Sequence, residues 1–292
     1  MIKKIVSILF IILFFTSCND DFDIVKDYHE QLVVFLVLDN RADKQIIKIQ
    51  KLQNDVGLND NNKVLKDLSV RLIDTYGVAH YFKDTVLNGV NNFNVLFVDS
   101  LDLKEGTYSL FVNSGNKLYA WSNVTVRAPQ LIYVSSFNEY YKINISKSAS
   151  SRGVLVKSFV CFDRVDNGIT TSDMMEIPSK FSVNGTDTTE IYPAVEKSDY
   201  SENKSIEVII GYNAIVYTKQ KIINRYHIES KDIKKIKIFS FSYDWNLYEY
   251  IMSYKGYSDP YSVRLDKPNY SNIIFGNGVF GAIRVDSTEI KP

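Results

Sequence analysis

The chain has 292 residues, with 34 basic and 34 acidic side chains and no net charge. That balance supplies no basic stripe for nucleic acid and no basic face for anionic lipid. Apolar residues make up 45% and aromatics 13%, led by 20 Tyr and 17 Phe, a composition that supports a sizeable core and favours strands.

Met1-Ile2-Lys3-Lys4 leads into Ile5–Phe15, an eleven-residue stretch interrupted only by Ser7. A helix rises about 1.5 Å per residue, so this stretch falls short of the roughly 20 residues that span a bilayer. The charged lead, the short apolar core and Thr16-Ser17-Cys18 predict a bacterial lipoprotein signal peptide over residues 1–17, with Cys18 as the lipidation site. The expected anchor is a diacylglycerol on the sulfur and a fatty acyl group, such as palmitate, on the new N-terminus. Each buried methylene contributes about 0.8 kcal/mol, so two or more chains hold firmly.

Residues 18–30 read as an acidic tether after the lipidated cysteine. Within it, Asn19-Asp20-Asp21-Phe22-Asp23 resembles the lipoprotein export signal of Bacteroidetes-type bacteria. The resemblance makes Asp20 and Asp21 the export signal and places the protein on the outer face of the outer membrane. Cleavage removes Lys3 and Lys4 and no acid, which leaves 32 bases against 34 acids, a mature charge of −2. With Cys18 lipidated, Cys161 has no intramolecular partner. It lies inside the apolar run Val154–Phe162 and reads as a packing residue rather than a nucleophile.

Strand signals begin at Leu32–Leu38 and continue at 45–52, 68–72, 79–84, 94–98, 107–112 and 117–126. Leu103-Lys104-Glu105-Gly106-Thr107-Tyr108 resembles the turn and tyrosine that open a late strand in immunoglobulin-like sandwiches, where the Tyr hydroxyl bonds back to the corner. The same segment resembles small transthyretin-like modules. Residues 31–127 are therefore expected to form an immunoglobulin-like or transthyretin-like β-sandwich.

Ala128-Pro129-Gln130 is the expected boundary to a second β-rich domain, sandwich or barrel-like, over 131–292. Its strands are expected at 131–135, 139–146, 153–163, 181–184, 188–192, 205–219 and 234–243. The apolar phase slips between Ile238 and Phe239, which predicts a bulge. One short helix is expected at 245–255, capped by Asp244, with Trp245, Tyr248, Ile251 and Met252 near helical spacing. The fold class is thus all-β with one short C-terminal helix.

Chemical motifs are sparse. Gly276-Asn277-Gly278-Val279-Phe280-Gly281 matches G-x-G-x-x-G, but only eleven residues follow. A dinucleotide fold needs a helix, a second strand and a ribose-binding acid there. The glycines are expected instead to shape a turn into a last strand, Val279–Val285, with Phe280 packed in the second domain's core. His29, His80 and His227 lack metal spacing. Asn59–Asn62 and Asp163–Gly168 lack calcium-loop spacing. Ser201-Glu202-Asn203-Lys204 lacks the partner motifs of an S-x-x-K enzyme. No catalytic residue, metal or cofactor is expected.

The tail runs Ile236–Ser242, Trp245–Tyr250, Asp259-Pro260-Tyr261, then Tyr270-Ser271-Asn272-Ile273 and Gly276–Ala282. With Cys18, Leu32-Val33-Val34 and Gly106–Val112, this order resembles a family of Bacteroidetes outer-membrane lipoproteins known only as domain of unknown function 4249. The resemblance covers the mature chain and singles out Tyr108, Asn272, Gly276, Gly278, Phe280 and Gly281 as structural motif residues. It departs at Ile274-Phe275, where the family more often has a polar residue and a glycine. It implies a β-rich surface lipoprotein, held in the outer membrane by its lipid, with an accessory role beside a TonB-dependent transporter in nutrient uptake; the abundance of Tyr and Phe suits a glycan or peptide ligand. The alternatives are a structural or adhesive surface protein and a glycan or peptide hydrolase. A glycan binder should show a flat exposed aromatic platform. A transporter accessory should show a large apolar patch, and an enzyme a pocket with converging acid, base or nucleophile.

Overall fold

The computed structural model describes residues 32–51, 65, 67–84, 94–99, 101–115, 117–146, 152–184, 187–197, 205–255 and 270–291. Eight strands come first: β1 (Leu32–Asp39), β2 (Lys44–Lys51), β3 (Leu68–Ile73), β4 (Ala79–Tyr81), β5 (Lys83–Asp84), β6 (Asn94–Asp99), β7 (Gly106–Ser114) and β8 (Lys117–Val126). Next are β9 (Ile132–Ser136), β10 (Tyr140–Ile145), β11 (Gly153–Asp166), β12 (Ile169–Glu176), β13 (Lys180–Asn184), β14 (Asp187–Ile191), β15 (Glu196–Lys197) and β16 (Ile206–Gly211). Helix α1 (Tyr212–Tyr226), β17 (Ile233–Tyr243), helix α2 (Trp245–Lys255) and β18 (Asn277–Ile290) complete the order.

One nine-stranded sheet runs β12-β11-β17-β18-β1-β2-β6-β5, with β15 on β11. Its hinge is β18, which pairs parallel with β1 (Leu36 beside Phe280) and antiparallel with β17 (Phe241 beside Val285). Strands from before and after residues 128–130 therefore share one sheet, and the chain from Leu32 onward forms one compact unit.

Two layers cover the same face of that sheet. Over β1, β2 and β6 lies the four-stranded sheet β4-β3-β7-β8, giving a sandwich. Alternation in β1 turns Leu32, Val34, Leu36 and Leu38 inward, where they meet Val70, Leu72, Leu110, Val112 and Val124. Each such side chain contributes roughly 1.5–3 kcal/mol by leaving water. Over β11 and β17 lie the three-stranded sheet β16-β10-β9 and α1. There Val154, Val156, Val160, Phe162, Ile236 and Ile238 meet Ile143, Ile145, Ile210, Ile215 and Ile222.

The segment 128–130 passes between these two cores over a buried polar seam. Gln130 takes the Ser240 hydroxyl on its amide oxygen at 2.6 Å and donates its backbone N–H to Asp286 at 2.9 Å. Arg284 reaches Asp286 and the Arg127 carbonyl, each at 3.4 Å. Buried polar groups need such partners, since an unpaired one costs about 1–3 kcal/mol.

The all-β expectation and the helix at 245–255 hold, and three local readings are corrected. The stretch 205–219 is not one strand: β16 ends at Gly211 and α1 follows. Ala214, Ile215, Thr218 and Ile222 fall on one face of α1 and are buried, a helical stripe that its isoleucines and tyrosines disguise as strand. No bulge occurs at Ile238/Phe239. Strand β17 keeps its inward alternation through Ser240 and Ser242, which face the polar seam, so polarity mimicked a phase slip. The irregularity lies between Cys161 and Phe162 on β11. Phe280 packs in the first core, with Leu36 and Leu110, and not in the second.

Candidate functional site

The sequence motifs converge on a clasp. Asn272 uses its side chain as a short strand, donating to the Phe280 carbonyl at 2.8 Å and accepting the Phe280 N–H at 2.9 Å. Its own carbonyl accepts the Ser122 hydroxyl of β8 at 2.7 Å, and Ile274 pairs with Trp121. The segment thus ties the two layers of the sandwich. Gly278 sits at φ +111°, and a Cβ there would lie 2.0 Å from the Val34 carbonyl oxygen. Gly281 lies under α2, where a Cβ would meet Leu247 at 2.7 Å, and a Cβ on Gly276 would meet the Leu32 carbonyl oxygen at 2.7 Å. These glycines let β1, β18 and α2 approach closely. Phe275 sits at φ +64° with its side chain exposed. Such a conformation costs a bulky residue of order 1–3 kcal/mol.

Tyr108 makes the corner contact: its hydroxyl accepts the Lys104 N–H at 2.9 Å and donates to the Lys104 carbonyl at 3.2 Å. Cys161 is a buried free thiol whose pKa burial pushes up. Cys18, Asp20 and Asp21 lie outside the described residues.

Asp244 is a buried hub beneath α2. Its carboxylate accepts N–H groups from Asn246, Leu247 and Ala282 at 2.8–3.0 Å, so it caps the helix and pins β18 together. Burial pushes its pKa up to about 6, against the pull of those donors and of Arg127. A second carboxylate, Glu190, takes Lys221 at 2.6 Å, Tyr217 at 2.5 Å and the Tyr192 hydroxyl. Lys221 and the two tyrosines hold it down at about 2. A carboxylate so saturated is a poor proton acceptor and works as a tie between β14 and α1. Among the described residues no group of three or more His, Cys, Asp or Glu could hold a metal ion.

The surface offers a different feature. In the sheet β16-β10-β9, Ile143 and Ile145 point into the second core, so alternate residues point to solvent. That outward face carries Leu131 (58% exposed), Tyr133 (58%), Phe137 (45%) and Ile209 (53%), with Tyr140 half-buried. Phe137 and Tyr140 stack with ring centroids 4.9 Å apart. Between Tyr133 and that pair lie Ser135, Lys142 and Asn144, and Lys142 is bonded to Glu207 at 2.6 Å.

Sequence reasoning passed over this face because no motif marks it. Its one signal was the unbroken run Leu131-Ile132-Tyr133-Val134. A strand with apolar residues in both phases must send one set to water unless something covers it.

No family model matches the chain, and no curated protein matches it.

Proposed function

We propose that the protein is a lipoprotein of the outer membrane, anchored through Cys18 and facing outward, that binds a ligand or partner at the cell surface in support of TonB-dependent nutrient uptake. The reading of its address rests on Lys3-Lys4, the short apolar core and Thr16-Ser17-Cys18, followed by Asp20 and Asp21. The proposed resemblance to domain of unknown function 4249 rests on the order of Leu32-Val33-Val34, Gly106–Val112 and Asn272–Gly281.

The observation that carries the binding role is the exposed face of β16-β10-β9. An aromatic and aliphatic cluster turned to water, with hydrogen-bonding groups set among it, is a recognition surface rather than a packing surface. The buried carboxylates Asp244 and Glu190 are already engaged by their neighbours, which favours binding over hydrolysis.

Fractionation and affinity capture test the proposal. Wild type should sediment with outer membrane and be cleaved by protease added to intact cells. Cys18→Ala should be released or left unprocessed. A TonB-dependent transporter should co-purify from detergent-solubilised membranes. A Cys18→Ala protein that fractionates as wild type, or a chain protected from protease on intact cells, would contradict the anchor and its orientation. A membrane extract that yields no transporter would contradict the uptake role.

A further inference from the structure

We infer that the outward face of β16-β10-β9 binds a neutral glycan chain, an assignment that rests on the ligand-binding reading above. The register fixes the layout. Tyr133 lies opposite Asn144, and Tyr140 lies four residues further along β10. At about 3.4 Å per residue along the strand and about 4.8 Å between strands, the two aromatic positions stand roughly 14 Å apart on one face of the sheet. Phe137 stacks on Tyr140 and widens that end.

The chemistry between the rings is polar and balanced. Ser135 and Asn144 supply hydroxyl and amide groups, and Lys142 and Glu207 neutralise each other at 2.6 Å. A sugar ring matches this pattern. Its C–H face carries partial positive charge and lies on the negative face of an aromatic ring. Its hydroxyls both donate and accept, as the groups between the rings do. An anionic ligand would need an uncompensated cation, and here the lysine is already paired. Among the described residues of this face the same pairing disfavours a nucleic acid.

Size separates a glycan from a protein partner. Three strands about 4.8 Å apart and six residues long cover roughly 14 by 20 Å, about 300 Å². A stable protein interface needs about 800 Å² per partner. The face accommodates a few sugar rings and is too small to hold a second copy of the chain by itself.

The test is affinity electrophoresis of the purified full-length protein in detergent, through gels containing starch, dextran, xylan, galactomannan or levan. At least one gel should retard the wild type. Tyr133→Ala and Tyr140→Ala should each weaken that retardation about tenfold or more. Tyr76→Ala, on a distant exposed turn, should leave it unchanged. Should Tyr133→Ala fail to fold, Ile209→Asp on the same face gives the same reading. Wild-type migration in all five gels overturns the inference, as does retention undiminished in Tyr133→Ala. The anchor and its orientation are read by fractionation and protease access, so a failure here leaves those results standing and the two readings are told apart.

Discussion

The C-terminal clasp and the three-stranded sheet carry opposite signatures. The clasp is dense in motif residues, and each of them is consumed by structure. Asn272 completes the backbone bonding of Phe280, Gly278 lets β1 and β18 touch, and Gly281 seats α2. The sheet β16-β10-β9 has no motif, yet it turns Tyr133, Phe137 and Ile209 to solvent. Close backbone approach tolerates few residue types, so it leaves a legible pattern. A flat binding face tolerates many, so it leaves almost none.

The contrast can be broken most forcefully at Phe280, which is fully buried among Leu36, Leu110 and Ala282. Phe280→Ala should destabilise by about 3–5 kcal/mol, since a large cavity would open under the shared strand. Because β18 joins both halves of the sheet, thermal melts followed at Trp121 and at Trp245 should shift together. Melting of one region alone would count against a shared sheet.

Acidity sharpens the picture at Asp244. Its folded pKa of about 6 lies above the ordinary 3.8, so the folded state holds the proton more tightly than the unfolded chain. The contribution from this group is intact below about pH 4 and is lost as pH rises towards 6, by about 3 kcal/mol. Glu190, held at about 2 against an ordinary 4.5, acts in the opposite sense: its contribution is present above pH 4.5 and fades below it. Denaturant titrations of wild type and Asp244→Asn isolate the first effect. The stability of wild type relative to the variant should fall by about 2.4 kcal/mol between pH 4 and pH 7, and a constant difference would refute it.

A smaller effect is expected at Phe275, at φ +64° in the turn before β18. Phe275→Gly should stabilise by about 1 kcal/mol, because glycine adopts that conformation without strain and forfeits part of the gain to its looser unfolded state. A lower melting temperature would show that Phe275 makes a contact worth more than its strain.

Much of the fold was legible because period-two alternation is strong in β1, β3 and β7 and because Asp244 announces α2. The tyrosine corner was legible too, since Gly106 and Tyr108 stand at a fixed spacing. The rest escaped for physical reasons. Helix α1 is built from residues that favour strands, and packing on β11 overrides that preference. Ser240 and Ser242 looked like surface residues, yet both are buried along a seam where Gln130, arriving from the linker, accepts the Ser240 hydroxyl. The candidate site was the least legible part, because the reason Tyr133 is exposed lies in Ile143 and Ile145 beneath it.

The most direct measurement compares Tyr133→Ala/Tyr140→Ala with wild type for both melting temperature and retention on the polysaccharide that retards the wild type. Retention should be lost while stability stays within about 1 kcal/mol, as expected for surface side chains. Retained binding, or a melting temperature that collapses as in Phe280→Ala, would contradict the claim that this face recognises a ligand and does not hold the fold.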